Sequence, residues 1–139
     1  MESKLQSRAF KNLSTIDLRL LTEQFLKLKY HKDFHLLRNT LRMGEYASNT
    51  YALLLSSNKT LSASECSFIT KHPRTKTHGV LKWLEENGFI EGIGTRPVRF
   101  RALPLKKALT NFIKREKQQI VEKEKNLKQI IEAIESQRR

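Results

Sequence analysis

Residues 61–104 read LSASECSFITKHPRTKTHGVLKWLEENGFIEGIGTRPVRFRALP, and this stretch decides the fold. Ser62 followed three residues later by Glu65 is a capping box, so a helix is expected to start here with Cys66 and Ile69 turned inward. Lys71 and His72 form a turn. Pro73 suits the first turn of the next helix, where its missing N–H costs nothing. That helix is predicted over Pro73 to Glu86, with Thr77, Val80, Leu81 and Leu84 toward a core and Arg74, Lys76, His78 and Lys82 away from it. Asn87-Gly88 ends it with a residue able to take φ > 0. A strand over Phe89 to Ile93, a turn over residues 94–97 and a return strand over Val98 to Leu103 complete the stretch. On the return strand Val98, Phe100 and Ala102 alternate with Arg99 and Arg101, so one face packs and the other presents guanidinium groups. Helix, tight turn, helix and hairpin is the order of a winged helix-turn-helix, a module whose second helix lies in the DNA major groove.

Working outward, the preceding helix is expected from Gly44 or Glu45 to Ser56, its inner face built from Tyr46, Thr50 or Tyr51, Leu54 and Leu55. Residues 1–43 form an N-terminal helical extension. Ser14 with Asp17 resembles a cap, and Leu18, Leu21, Phe25 and Leu28 make a stripe that Ile16 and Leu20 widen. Asp33 is the expected cap of a short helix carrying Phe34, Leu37 and Leu41. From residue 105 to 139 the pattern becomes one long helix, its last four residues frayed. Ile113, Ile120, Leu127 and Ile134 recur every seven residues, the a positions of a heptad, with Leu109, Glu116, Lys123 and Ile130 at d. Two charged d positions make half a seam, read as a coiled-coil-like dimerisation helix through Leu109, Ile113, Ile120, Leu127, Ile130 and Ile134. The expected division is 1–43, 44–104 and 105–139, in a mainly α chain with a small β-hairpin wing.

The 139 residues carry 27 Lys and Arg against 14 acids, a net charge of +13. The excess is +4 over residues 1–40, +4 over 41–104 and +5 over 105–139, so no single tail holds it. A chain basic throughout attracts polyanions, of which nucleic acid is the commonest. The single cysteine, Cys66, allows no intrachain disulfide and suits a reducing compartment. No stretch approaches about 18 consecutive apolar residues, and the N-terminus has no apolar signal run. A cytoplasmic, nucleoid-associated protein without a membrane partner is expected.

A helix N-terminus favours phosphate through its free N–H groups and dipole. Here Lys71, Pro73, Arg74, Thr75, Lys76, Thr77, His78 and Lys82 surround it. Arg74 has the fork that pairs with guanine, while Thr75 and Thr77 suit phosphate or a thymine methyl, with core packing an equal claim on Thr77. Arg96, Arg99 and Arg101 on the wing suit phosphates or the minor groove. His31 and His35 have the spacing of a zinc pair but lack a third ligand, so no metal and no cofactor is expected. Cys66 reads as a small buried hydrophobe, and Trp83 as a cover for the wing or a dimer contact. No nucleophile elbow, phosphate loop or carboxylate pair appears, so the chain reads as a non-enzyme.

Over about residues 41–113 the chain resembles the DNA-binding domain of the TrmB-type archaeal transcriptional regulators. The resemblance rests on Glu45-Tyr46, Tyr51-Ala52-Leu53-Leu54, Pro73-Arg74-Thr75-Lys76, the run from Val80 to Phe89, and Arg96 to Ala102. It implies that Arg74, Thr75, Lys76 and the wing arginines contact duplex DNA, and that the helix after the wing pairs two subunits. Lys71 stands where that family usually has Gly and His72 where it has an aliphatic residue. His78 and Gly79 replace a Tyr and an acid. Sugar-responsive members carry an effector domain; this chain ends at Arg139, so no small-molecule effector is expected. The expected function is a sequence-specific, homodimeric regulator of transcription, the alternative an architectural nucleoid protein of low specificity. A winged helix used for protein contact is disfavoured by the basic recognition face.

Overall fold

A computed structural model describes residues 15–138. Among the described residues six helices and three short strands follow in the order α1 (Thr15–Lys29), α2 (Lys32–Leu41), α3 (Glu45–Ser56), β1 (Leu61–Ser62), α4 (Ala63–Thr70), α5 (Arg74–Glu86), β2 (Ile90–Ile93), β3 (Arg99–Ala102) and α6 (Leu105–Arg138). The chain divides at Leu103–Pro104 into two compact units. The mainly helical class with a small wing is as expected, and its order is that of a winged helix-turn-helix.

In the first unit α3 is the central element. α1 runs along it, and α4, α5 and β3 pack on its other sides. Ala47 to Leu54 are therefore all buried, and Tyr51, Ala52 and Leu53 have no exposed surface. The expected inner face at Tyr46 is corrected: Tyr46 lies in the exposed first turn, its ring centroid 4.5 Å from that of His72 in an edge-on arrangement. Leu18, Leu21 and Phe25 bury the α1 stripe, whereas Leu20 points to solvent. The expected cap at Ser14 and the side chain of Ile16 lie outside the described residues. At α2 the cap is His31, whose Nδ1 accepts from the Asp33 N–H at 3.1 Å, and Asp33 is a first-turn acid.

The sheet has three antiparallel strands in the order β1-β3-β2, one more than the expected hairpin. β1 is only two residues long, too short to show alternation in sequence, and it pairs Leu61 with Phe100 and Ser62 with Arg99. β2 and β3 pair from Ile90–Ala102 to Ile93–Arg99, and the Leu103 N–H donates to the Phe89 carbonyl to close the base. Gly94, at φ 78, makes the tip turn. Phe89 is fully buried, held between Tyr51 and a stacked Trp83 ring 5.9 Å away, so Trp83 covers the root of the wing.

The second unit is α6, 34 residues without a break to Arg138, so the helix continues through residues 136–138, where fraying was expected; residue 139 lies outside the described residues. Its length is about 51 Å at 1.5 Å per residue. None of the described helices is long and apolar enough to cross a membrane.

Candidate nucleic-acid interface

The helix-turn-helix is assembled from local rules. Ser62 Oγ accepts from the Glu65 N–H and Glu65 Oε1 accepts from the Ser62 N–H, the reciprocal cap expected from the sequence. α4 stops because Lys71 takes the left-handed conformation, φ 61, the geometry a glycine adopts most easily. Ser67 Oγ then donates to the His72 carbonyl at 2.7 Å, fixing the turn. Pro73 is the cap residue rather than the first helical one. Because it has no capping side chain, the N–H groups of Arg74, Thr75 and Lys76 point outward without intrahelical partners. No acid lies in that first turn. The positive end of the helix dipole and two cationic side chains therefore coincide at one exposed place.

Arg74, Thr75, Lys76, His78 and Lys82 are all exposed on α5, as are Lys71 and Pro73 before it. Arg74 Nη2 donates to Ser64 Oγ at 2.7 Å, which holds the guanidinium beside the turn. Lys82 lies 4.0 Å from Glu86, a loose surface pair. Thr77 is different. It is fully buried and its hydroxyl donates to the Pro73 carbonyl at 3.2 Å, so it belongs to the core and leaves the contact set. Gly79 occupies the middle of the outward face, in line with Thr75 and Lys82 at three- and four-residue steps. A Cβ added there would meet nothing within 4 Å.

On the wing the three arginines have three environments. Arg96 is exposed in the tip turn. Arg101 is exposed too, and its Nε donates to Glu91, its cross-strand partner. Arg99 is withdrawn. Its Nη2 lies 2.8 Å from Glu65 Oε1, and it donates to the hydroxyl and the carbonyl of Thr60 at 3.0 and 2.7 Å. Glu65 is only 1% exposed, so a buried carboxylate needs this cation. The expectation that Arg99 faces outward is corrected: pairing with β1 brings it over the α4 cap. Burial of Glu65, which creates the need for a counter-charge, comes from the fold, so no signal in the sequence marked this pair.

The turn is also tied to α3. Asn49, itself buried, places Nδ2 3.2 Å from His72 Nε2. Burial, with Lys29 nearby, lowers the His72 pKa from 6.5 against a smaller opposite pull from Glu45. Burial likewise pushes the Cys66 thiol to about 12, which fits an inert core residue. Among the described residues no group of three potential metal ligands forms.

With this geometry in view, the comparisons decide the family. A model described as "Sugar-specific transcriptional regulator TrmB" matches residues 37–106, half of the chain. The chain belongs to the TrmB family. The matched span covers α3 through the wing and the start of α6 of this TrmB-family chain. Among solved structures it is similar to TrmBL2, titled an archaeal chromatin protein with a novel mode of DNA binding, at TM-score 0.63 and 22% identity. That match covers 73% of this chain but 40% of the TrmBL2 chain. It is also similar to the ST1889 protein of the thermoacidophilic archaeon Sulfolobus tokodaii, at TM-score 0.52 and 20% identity, over 68% of this chain and 96% of that one. Both likenesses show the fold. No curated protein matches the sequence.

Proposed function

We propose that this chain is a duplex-DNA-binding regulator of transcription that acts as a homodimer, with α5 in the major groove and the wing on the backbone or minor groove. The observation that carries this reading is the exposed N-terminus of α5. There, unpartnered N–H groups, Arg74 and Lys76 converge with no acid in the turn. Arg74, Thr75, Lys76, His78 and Lys82 make the groove-facing set, and Arg96 and Arg101 the wing contacts. α6 joins the two copies through Leu109, Ile113, Ile120, Leu127, Ile130 and Ile134. The matched half-sites lie one helical turn, or a multiple of it, apart. The role is one of binding and not of catalysis, and the protein works on DNA in the cytoplasm.

Selection of bound sequences from a random duplex library at about 150 mM salt, where charges are screened beyond about 8 Å, tests it. Enrichment of a paired site supports the regulator; equal affinity for every duplex removes the site-specific part. A second reading has its own support. The charge excess is spread along the whole chain, and the TrmBL2 structure is titled as that of a chromatin protein. An architectural coat would lose affinity with rising salt equally for all sequences.

A further inference from the structure

Along α6, Ile113, Ile120, Leu127, Ile130 and Ile134 form one apolar line that is 50–56% exposed in the single chain. The homodimer proposed above would cover it, and two orientations of the second copy are available. Their charges distinguish them. In a parallel, in-register pair each d residue meets its own copy. Glu116 would then be set against Glu116 and Lys123 against Lys123 inside the seam. The flanking positions would bring Gln119 to Glu124 and Asn126 to Ile131, with no pair of opposite charge.

We propose that α6 pairs with α6 of a second copy in antiparallel orientation, in the register that sets Ile113 against Ile130 and Leu109 against Ile134. Here a residues meet d residues. Ile113–Ile130 and Leu109–Ile134, each formed twice, close both ends of the rod with wholly apolar layers. In the middle Ile120 meets Lys123 and Leu127 meets Glu116, so the Lys stem lies along apolar surface with its ammonium outward. Glu116 comes within about 6 Å along the axis of the second copy's Lys123, and Lys117 within about 3 Å of the second copy's Glu124. By symmetry that makes four opposite-charge pairs. The parallel form keeps six wholly apolar layers against four, but only by confining two like-charged pairs in a desolvated seam, where an unpaired charge is most costly. The antiparallel form also separates the two Leu105 attachment points by about 50 Å along the rod instead of setting them side by side.

The test uses the full chain with a single spin label at Gln118→Cys or at Glu132→Cys, both on the outward side of the heptad. The native Cys66 is buried, so its thiol does not compete for label. Dipolar distances are measured for each variant and the mass in solution by light scattering. In the antiparallel register the labels at 118 are about 10 Å apart along the axis and those at 132 about 30 Å, so the second distance is clearly longer. Equal distances at the two positions, or a monomeric mass with no dipolar coupling, overturn the proposal. Duplex binding by the same variants is followed separately. Intact binding with equal distances removes the orientation alone, and the expected distances without binding remove the DNA reading alone.

Discussion

Arg99 and Arg101 stand two residues apart on one strand, yet their expected mutational effects differ in kind. Arg99→Ala strands the buried Glu65 carboxylate and should destabilise the fold by about 3 kcal/mol, read as a lower urea midpoint. Arg101→Ala removes an exposed charge, should change stability by no more than about 0.5 kcal/mol, and should weaken DNA binding. Stability losses of equal size would show that Arg101 is also structural. Gly79→Ala adds a methyl that touches nothing in the free protein and removes a glycine from a helix interior, so stability should rise by about 1 kcal/mol. If the outward face enters a groove, the same methyl lowers DNA affinity; a thermal melt and a duplex titration separate the two effects. Burial lowers the His72 pKa from its ordinary 6.5. The unfolded chain therefore binds the extra proton first, so the contribution is intact above about pH 6.5 and fades as pH falls below it. His72→Gln should lose less stability than wild type between neutral and mildly acid pH, measured by urea unfolding at each pH.

At the scale of elements, the N-terminus of α5 is the part on which the proposed binding would depend. Arg74→Ala and Lys76→Ala should each weaken binding to all duplexes and reduce the slope of log affinity against log salt by about 1 if the residue contacts phosphate. A base-reading Arg74 would instead lose preference at one position. Anisotropy titrations over a salt series distinguish these results. The α4 cap and the length of α5 were legible in the sequence because each depends on residues within one or two turns. β1 was not, since two residues carry no periodicity. The face of α3 was misread at Tyr46 because a helix surrounded on all sides has no single apolar stripe to find.

For the whole molecule, the charge of +13 sets a strong, sequence-independent attraction to DNA on which any specificity must be built. A regulator should bind its selected site about 10³-fold or more tightly than random duplex at physiological salt. A ratio near one, with affinity collapsing between about 50 and 200 mM salt, would favour the coating protein. Competition titrations with selected and scrambled duplexes at matched salt supply the number.

By itself the sequence determined what depends on neighbours along the chain: the Ser62–Glu65 cap, the turn at Lys71–Pro73, the basic outer face of α5, the glycine of the wing tip and the seven-residue repeat of α6. These signals are local because caps, φ preferences and periodicity act over a few residues. Tertiary structure alone decided which candidates are free to act. It buried Thr77, bound Arg99 to Glu65 and Thr60, set Asn49 on His72 and laid Trp83 on Phe89. The Thr60–Arg99 contact joins residues 39 apart in sequence and the Asn49–His72 contact residues 23 apart. The partner of a buried charge is chosen by whatever the fold brings within hydrogen-bonding distance, which no local pattern encodes.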